Sequence, residues 1–310
     1  MEKYAIISDV HGNYPALEAV LSDAKEQGAT QYLLLGDYTN GSVFGNEVVE
    51  AIRRLENATV ICGNHEGFLR MIQANPDGFA DHSGLIKWCF HNLKPENLRF
   101  LLDLSNKAVV ADARRNIYLS HDQNQIIDVF FTNANFIKHF HSVHYRAMFE
   151  DAPIPYDIYL QRAKEEILSD PKRAEKLKAL PIGVYLFGHN HIQFYMEYEG
   201  KMFINPGSCG EPLDGTPSAA YTLLQGKTIT ERRVAYDVDA CAQALRKSSY
   251  YNVGKFNAFW VDMINKNLLS GFDYFRSFYA LVNETTRKRG ERGVANEACM
   301  REAINRWENN

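Results

Sequence analysis

The chain has 310 residues, of which 45% are hydrophobic and 23% are charged, and its formal net charge is −4. This length is enough for one large domain or two ordinary ones with a buried core. The slight acidity gives no reason to expect a nucleic acid partner such as duplex DNA. No apolar run approaches the ~18 residues of a membrane-spanning helix, so we expect no membrane partner.

The cysteines are scattered along the chain at Cys62, Cys89, Cys209, Cys241 and Cys299. Their odd number and the lack of Cys-x-x-Cys spacing fit a reducing compartment better than a disulfide framework. The segment after Met1 shows neither the basic region nor the apolar core of a signal peptide. We therefore expect a cytoplasmic protein.

The N-terminal part of the chain alternates between strand and helix patterns. Short apolar runs at 4–7, 32–35 and 58–62 predict three strands. Between them, apolar residues at helical spacing over 17–24 and 48–55 predict two helices. This alternation is typical of a parallel sheet covered by helices.

The remainder predicts more strands and two helical regions. Helical patterns lie at 66–74 and 95–104, and strand-like runs at 107–112, 115–120, 184–188, 192–198, 201–205, 219–224 and 228–235. The first two of these runs flank Ala113 and Arg114 and predict a hairpin. We predict one mixed α/β unit at 1–236, with a helical insertion at about 123–180, and a helical extension at 237–310.

Polar, metal-capable side chains follow five of the predicted strands: Asp9 and His11, Asp37, Asn64 and His65, His121, and His189 and His191. Successive strands of a parallel sheet end side by side at one edge, the usual position of sites in open α/β folds. Side chains two apart on a strand point the same way, so Asp9 and His11 can converge on one ion. Histidine, carboxylate and amide together suit manganese, iron or zinc rather than calcium.

Each of these residues also has a purely structural interpretation. Asp9 can cap the following helix, and Asp37 or Asn64 can serve a tight turn. The same pattern at five strand ends, in a chain with only 10 histidines, favours a metal site over five unrelated turns.

Other features favour ordinary packing or solvated surface. The extension carries an aromatic series, Phe256, Phe259, Trp260, Phe272, Tyr274, Phe275, Phe278 and Tyr279, which we interpret as core or a packing surface rather than a base-stacking platform. We interpret His139, His141 and His144 as part of a surface or substrate-facing insertion rather than a further metal site. The basic run at 287–292 is interpreted as a solvated helix end.

Several sequence blocks resemble one family. "SDVHGN", "GDYTNG", "GNHE", "SH" and "GHNH", in this order, resemble the calcineurin-like metallophosphoesterase superfamily. "INPGSCGEPLDGTPSAAYTLL" at 204–224 and "GDYTNGSVFGNEVVEAI" resemble its small bacterial phosphodiesterase branch. The resemblance covers 1–236 apart from the region near 123–180, so it implies a metallophosphoesterase catalytic domain there. The implied fold is an α/β four-layer αββα sandwich of two mixed β-sheets flanked by helices.

The resemblance also implies a site with two divalent metal ions, for which we favour manganese over iron, zinc or nickel. The implied ligands are Asp9, His11 and His191 for one ion, Asn64, His121 and His189 for the other, and Asp37 as a bridge. His65 is the implied catalytic and substrate-binding residue facing the phosphate, and Asn13 a loop residue that approaches the substrate. Such ions hold a hydroxide between them for in-line attack on phosphorus, while His65 stabilises developing charge or protonates the leaving oxygen.

The chain departs from this resemblance near the second block. Phosphatases of this superfamily that act on phosphoproteins carry Gly-Asp-x-x-Asp-Arg-Gly, whereas Asn40 and Gly41 stand in place of the second Asp and the Arg. This disfavours a phosphoprotein phosphatase and predicts that some group other than residue 40 orients His65. Ser120 precedes His121 where Gly is common, and Glu66 is expected to favour the N-terminus of the following helix.

The predicted function is a two-metal-dependent phosphoesterase that hydrolyses a small phosphodiester or phosphomonoester by attack of a metal-bridging hydroxide, with the diester favoured. The alternatives are a non-catalytic metal-binding scaffold and a phosphoprotein phosphatase. The insertion and the extension are the segments in which specificity is expected to reside.

Overall fold

The computed structural model describes residues 2–77, 84–112, 115–122, 165, 169, 171–290 and 297–308. Most of the predicted insertion at about 123–180, including its three histidines, lies outside these residues, as do the hairpin turn at 113–114 and the end of the basic run at 287–292.

The described residues form ten strands and ten α-helices. The strands are β1 (Lys3–Ile7), β2 (Gln31–Leu34), β3 (Ala58–Val60), β4 (Lys107–Asp112), β5 (Arg115–Ser120), β6 (Gly183–Leu186), β7 (Gln193–Tyr198), β8 (Lys201–Pro206), β9 (Ala219–Gln225) and β10 (Thr228–Val234). The helices are α1 (Tyr14–Glu26), α2 (Gly45–Arg53), α3 (Asn64–Ala74), α4 (Leu85–Asn92), α5 (Pro95–Asp103), α6 (Pro171–Ala179), α7 (Val238–Lys247), α8 (Lys255–Ser270), α9 (Tyr274–Lys288) and α10 (Glu297–Glu308). The strand and helix patterns predicted over 4–104 are confirmed, with small differences at the element ends.

Two mixed sheets make the centre of the fold. The first has the order β10-β9-β1-β2-β3, in which β1, β2 and β3 are parallel and β9 is antiparallel to both β1 and β10. The second has the order β4-β5-β6-β8-β7, with β5, β6 and β8 parallel and an antiparallel pair at each end. The predicted hairpin of β4 and β5 is confirmed by their antiparallel register, in which Lys107 faces Ser120.

The alternation of side chains along β1 assigns its two faces. Tyr4 and Ile6 pack in a buried cluster with residues of the second sheet, such as Leu119 and Leu186. Ala5 and Ile7 belong to a different cluster, shared with apolar residues of α1, α2, α3 and α5. A strand exposes successive side chains to opposite faces, so one face of β1 meets the other sheet and the other meets helices. The α/β class with two mixed sheets flanked by helices is confirmed.

The chain beyond β10 is helical, as predicted, and has its own apolar cluster. Trp260 and Phe278 are almost fully buried there, and Leu85 and Cys89 of α4 pack in the same cluster. The C-terminal helices therefore pack against α4. The predicted domain boundary near residue 236 stays a prediction. No helix in the part of the chain that the structure describes is long and apolar enough to span a membrane.

Candidate metal centre

The loops that follow the strands lie against one another at one edge of the two sheets. The backbone N–H of Asp9 donates to the carbonyl of Gly36 at 3.1 Å, and that of His11 donates to the carbonyl of Asp37 at 2.9 Å. From the second sheet, Gly188 N–H donates to the carbonyl of His121 at 2.9 Å. Backbone hydrogen bonds thus hold the predicted site residues of both sheets in place.

Two glycines allow this close approach. Gly36 has φ +111°, and a Cβ there would lie 2.4 Å from the backbone nitrogen of Gly63. A Cβ at Gly63 would lie 2.1 Å from Oδ1 of Asp37. Any side chain at either position would separate the loops after β2 and β3, because neither backbone nor a buried carboxylate can move aside cheaply.

Asp9, His11 and His191 form the first of two side-chain groups. Nε2 of His11 lies 3.2 Å from Nε2 of His191, and Oδ1 of Asp9 lies 3.5 Å from the latter atom. All three residues are buried. Their ligand-type atoms lie within 4.8 Å of one another, a spacing that one ion can bridge.

The second group contains Asp37, Asn64, His121 and His189. Oδ1 of Asn64 lies 3.0 Å from Nε2 of His121 and 2.9 Å from Nδ1 of His189. Oδ2 of Asp37 lies 3.1 Å from the same Nε2 of His121. The groups adjoin, since Oδ1 of Asp9 is 3.9 Å from that nitrogen. The structure therefore brings together all seven side chains predicted as metal ligands.

Backbone carbonyls set the orientation of three of the imidazoles. Nδ1 of His11, His121 and His191 lies 2.9 Å, 2.9 Å and 2.6 Å from the carbonyl oxygens of Asn40, Leu35 and Glu211, respectively. A carbonyl only accepts, so each Nδ1 carries the proton and each Nε2 faces the cluster. If both rings were neutral, the Nε2 lone pairs of His11 and His191 would face each other at 3.2 Å and repel. This arrangement requires a proton or a cation between the two nitrogens.

The electrostatics also favour a cation. Burial opposes ionisation of Asp37, yet His121 and His65 hold the pKa of that carboxyl well below its usual range. Burial likewise opposes protonation of His11 and His121, but the neighbouring carboxylates raise the pKa of His11 to about 9 and that of His121 to about 10. The carboxylates thus draw protons onto the imidazoles, and a divalent cation would replace those protons. The donor set fits divalent metal ions.

Backbone strain is concentrated at the same positions. Among the described residues, eight non-glycine residues have positive φ, and five of them are Asp9, His11, Asp37, His189 and His191. The left-handed region costs an ordinary side chain of order 1 kcal/mol or more and persists where the surroundings impose it. Such conformations cluster at functional sites, which agrees with a site built from these five residues.

His65 lies beside the first group, with its ring 4.8 Å from that of His11. Its Nδ1 is 3.0 Å from Nδ2 of Asn40 and 3.3 Å from the carbonyl of Thr39, and its Nε2 is 3.7 Å from Oδ2 of Asp37. Burial lowers the pKa of His65 to about 4. The expectation that a group other than residue 40 orients His65 is wrong, because the Asn40 amide is within hydrogen-bond distance of the ring.

Glu66 has a larger role than the sequence indicates. Its carboxylate accepts the backbone N–H groups of Asp37, Tyr38 and Gly63 at 2.9 Å, 2.9 Å and 2.8 Å. Glu66 is fully buried. It does lie in the first turn of α3, as expected, but it also joins the loops after β2 and β3. The Asn-His-Glu run is the only sequence signal that points to it.

Asn13 and Glu211 support the site from outside the two groups. Asn13 is fully buried, caps α1 by accepting Ala16 N–H at 3.2 Å, and donates to the carbonyl of Gly210 at 2.8 Å. The predicted contact of Asn13 with substrate finds no support in these bonds and stays a prediction. The Glu211 carboxylate lies 4.0 Å from Nδ1 of His11 and accepts from Nδ2 of Asn267 at 3.2 Å, a role that sequence reasoning missed.

A cleft of about 340 Å³ opens beside these residues. It is lined by His11, Asn40, Gly41, His65, Leu85, His191, Glu211, Leu213, Trp260, Ile264, Asp273, Phe275 and Tyr279. One wall is thus the candidate metal centre, and another is formed by α8, α9 and the segment between them.

Comparison with known proteins agrees with this site. The model of the calcineurin-like phosphoesterase superfamily domain matches residues 3–228. An uncharacterized protein of Methanocaldococcus jannaschii is 30% identical over 264 residues, which cover 79% of this chain and 92% of that protein.

Two solved structures share the fold. A metallophosphoesterase from Sphaerobacter thermophilus superposes with a TM-score of 0.59 at 22% identity, over 87% of this chain and 99% of that one. A hypothetical protein from Pyrococcus horikoshii OT3 superposes with a TM-score of 0.60 at 18% identity, with the same coverage. Because the family model matches most of the chain, this protein belongs to the calcineurin-like phosphoesterase superfamily.

Proposed function

We propose that the chain is a two-metal-dependent phosphoesterase that hydrolyses a small phosphodiester or phosphomonoester, with the diester favoured. The observation that carries this proposal is the convergence of seven buried or half-buried ligand-type side chains into two adjoining groups beside one cleft. Membership of a phosphoesterase family supports the reaction class. A cytoplasmic location is part of the proposal and agrees with five buried, free cysteines.

In this proposal Asp9, His11 and His191 hold one ion and Asn64, His121 and His189 hold the other, with Asp37 between them. When bound, two such ions supply the nucleophile and neutralise the charge that develops on the phosphoryl oxygens. We favour manganese, since histidine, carboxylate and amide donors together suit a borderline divalent ion. The amide of Asn64 adds an oxygen donor without adding negative charge that would repel a phosphate.

His65 is the proposed catalytic residue. It lines the cleft, and its Nδ1 accepts from the Asn40 amide, so the proton of the neutral ring is on Nε2, on the side of Asp37. The Nε2–H group can donate a hydrogen bond to a phosphoryl oxygen and stabilise the charge that develops there. Asn40 acts as a positioning residue that keeps the ring in this orientation.

The cleft supports a small, singly charged substrate. Its volume of about 340 Å³ is at the lower end of ordinary ligand sites. No Lys or Arg is among the described residues that line it, so the proposed ions are the main source of positive charge. A diester carries one negative charge where a monoester carries up to two, which favours the diester. The lack of Lys and Arg among the described lining residues also disfavours the alternative function of a phosphoprotein phosphatase.

The test compares ligand variants with a matched histidine control. With Mn²⁺ added, we expect the wild type to hydrolyse bis(p-nitrophenyl) phosphate, and Asp37→Asn or His191→Ala to lower kcat by about 1,000-fold or more, because each removes a proposed ligand. His91→Ala, which changes an exposed histidine of α4, should keep wild-type activity. Circular dichroism checks that all three variants are folded.

Two results would contradict the proposal. Hydrolysis by metal-stripped wild type at the rate of the Mn²⁺-loaded protein, or by Asp37→Asn at the wild-type rate, would exclude metal-dependent hydrolysis by this site. Fewer than one tightly bound transition metal per chain by elemental analysis, with no turnover after adding Mn²⁺, would favour the non-catalytic scaffold. Parallel assays of a phosphomonoester with the same leaving group decide between the two ester classes.

A further inference from the structure

The C-terminal helices form an aromatic wall on the cleft, which we define as Trp260, Phe275 and Tyr279. The ring of Trp260 lies 5.5 Å from that of Phe275, at an interplanar angle of 30°, and 6.0 Å from that of Tyr279, at 36°. These rings line the same cleft as His11 and His65 of the candidate metal centre. The sequence-based interpretation of the aromatic series as packing surface is therefore incomplete.

Trp260, at the base of the aromatic wall, is held in place by packing, whereas Tyr279, at its rim, is accessible to solvent. Trp260 is 2% exposed and packs against Phe278 in an edge-to-face arrangement, with the ring centroids 5.6 Å apart. Tyr279 is 39% exposed, and Phe275 is half-buried. Large exposed apolar rings are costly to leave in water, and next to a polar site they suit the flat face of a ligand.

The charges of the cleft restrict the remainder of that ligand. Of the described lining residues outside the candidate metal centre, the charged ones are the acids Glu211 and Asp273. A substrate with further phosphates beside the wall would meet these acids, and none of the described residues that line the cleft is a Lys or Arg that could bind the additional phosphates. The group on the wall is therefore neutral or a hydrogen-bond donor.

Two buried polar atoms favour a heteroaromatic ring over a plain hydrocarbon. Among the residues that the structure describes, the indole N–H of Trp260 and Oδ1 of Asn40 find no hydrogen-bond partner, and both residues line the cleft. A buried polar atom without a hydrogen-bond partner destabilises the fold. A ligand that forms a hydrogen bond to this atom, after a small side-chain shift, removes that destabilisation and so binds more tightly. A nucleobase has acceptors and donors on its edges, whereas a phenyl or alkyl group does not.

We propose that the aromatic wall selects phosphate esters of a nucleoside, with the base stacked on the accessible rings of Phe275 and Tyr279, which pack on the buried Trp260, and the phosphate at the candidate metal centre. This proposal rests on the proposed phosphoesterase function and assigns its substrate class. Specificity then comes from the C-terminal helices, whereas the chemistry comes from the strand ends.

The first experiment changes only the base of the substrate. The methyl ester of adenosine 5′-phosphate and the methyl ester of ribose 5-phosphate share the scissile bond and the sugar phosphate. With Mn²⁺, we expect kcat/KM to be about tenfold to a hundredfold higher for the adenosine ester, the range expected for stacking one base on an aromatic side chain. Equal values for the two esters would overturn the proposal.

The second experiment changes the wall. Phe275→Leu and Tyr279→Leu keep apolar bulk but remove a ring, and each should reduce the preference for the adenosine ester at least about fivefold, mainly through KM. The preference is the ratio of kcat/KM for the adenosine ester to kcat/KM for the ribose ester, measured in each variant. Phe256→Leu is the matched control, because Phe256 packs on Trp260 with the centroids 6.0 Å apart but is not among the cleft-lining residues. A preference unchanged in both wall variants, or lost equally in the control, would overturn the proposal.

A binding measurement separates this proposal from the proposed function. Calorimetric titration of metal-free protein with adenosine needs neither phosphate nor turnover, and we expect saturable binding that is about fivefold weaker in Tyr279→Leu. No adenosine binding by the wild type would overturn the proposal even if aryl phosphodiesters are hydrolysed. Adenosine binding without hydrolysis of any ester would instead refute the proposed function, and with it the assignment of nucleoside esters as substrates.

Discussion

The buried carboxylate of Glu66 holds together the loops after β2 and β3. Each of its oxygens accepts from the backbone, and the donors belong to the loops that carry Asp37 and Asn64. Burial raises the pKa of Glu66, and the three N–H groups act against that rise by stabilising the charged form. The carboxylate therefore joins two strand ends that share no backbone ladder at this point.

Replacing Glu66 with Gln tests this role. The amide turns one acceptor oxygen into a donor that faces backbone N–H, so at least one of the three bonds is lost. We expect the free energy of unfolding to fall by about 2–3 kcal/mol, measured by urea denaturation. Glu56→Gln, an exposed glutamate, should change it by less than about 0.5 kcal/mol. Equal stability of the two variants would show that Glu66 does not hold the loops together.

Histidine, aspartate and asparagine at strand ends predicted a cluster of metal-capable side chains, and the resemblance to the superfamily implied which seven of them are ligands. They did not predict the partners of those side chains. The carbonyls of Leu35, Asn40 and Glu211 that orient the imidazoles belong to the backbone, which every residue type shares. Which carbonyl meets which ring depends on tertiary packing, so sequence reasoning could not have found it.

Among the elements, α8 is linked to the candidate metal centre through Asn267. This residue is fully buried, donates from Nδ2 to Oε1 of Glu211 at 3.2 Å, and accepts the backbone N–H of Tyr274 at 2.9 Å. The carbonyl of Glu211 in turn orients His191. Helix α8 and the start of α9 thus support the segment at Glu211, whose carbonyl orients a proposed ligand.

Asn267→Ala should weaken metal binding without removing a ligand. We expect the dissociation constant for Mn²⁺, measured by calorimetry, to rise about tenfold, a usual effect of losing a group that orients a ligand. Asn265→Ala is the control: Asn265 is buried on the same helix, but it donates to the carbonyl of Ala242 instead. Both variants should lose stability, and only Asn267→Ala should lose affinity. Similar affinities in the two variants would contradict this link.

Helix α1 is tied to the first sheet by an ionic contact that predicts a pH dependence. Asp23 accepts from Arg232 at 2.6 Å and from the hydroxyl of Tyr221 at 2.5 Å. The hydrogen bond from Arg232 is the main reason that the pKa of Asp23 is lowered. A lowered folded-state pKa adds stability above the unfolded value of about 3.9, and this stability is lost as the pH falls through the folded-state pKa.

Asp23→Asn should therefore cost about 1 kcal/mol of unfolding free energy at pH 7, since the contact is partly exposed. The difference from the wild type should shrink as the pH falls below about 4, because the unfolded carboxyl takes up a proton there, whereas the folded carboxyl, with its lowered pKa, stays charged to a lower pH. Urea denaturation between pH 7 and pH 3 measures this. Asp103→Asn, at an exposed aspartate, should show no such trend. A constant difference across the range would rule out the ionic explanation.

Periodicity predicted most elements because a strand or a helix reveals its buried face within a few residues. It could not predict where the amphipathic helices of the extension dock. An apolar stripe containing Phe259 and Trp260 is equally consistent with a separate domain and with packing on α4, and only the folded arrangement shows Leu85 in the same cluster. The aromatic wall of the cleft was hidden for the same reason.

On the scale of the whole molecule, the candidate metal centre is not contained in any short part of the chain. Its proposed ligands run from Asp9 to His191, and they come from two sheets that meet through an apolar layer. A change that loosens that layer, far from any ligand, should therefore disturb the site as well. The four-layer family fold follows from the order of the motifs, whereas the contacts of the extension required the structure.

The position of β1 has a consequence for how the protein is made. One edge of β1 pairs with β2, but the other pairs with β9, where Lys3 faces Gln225. During synthesis that second edge has no partner until most of the chain has left the ribosome. An unpaired strand edge is a template for association with other chains. Products that stop short of β9 leave this edge open, and we expect them to aggregate more readily than the full chain.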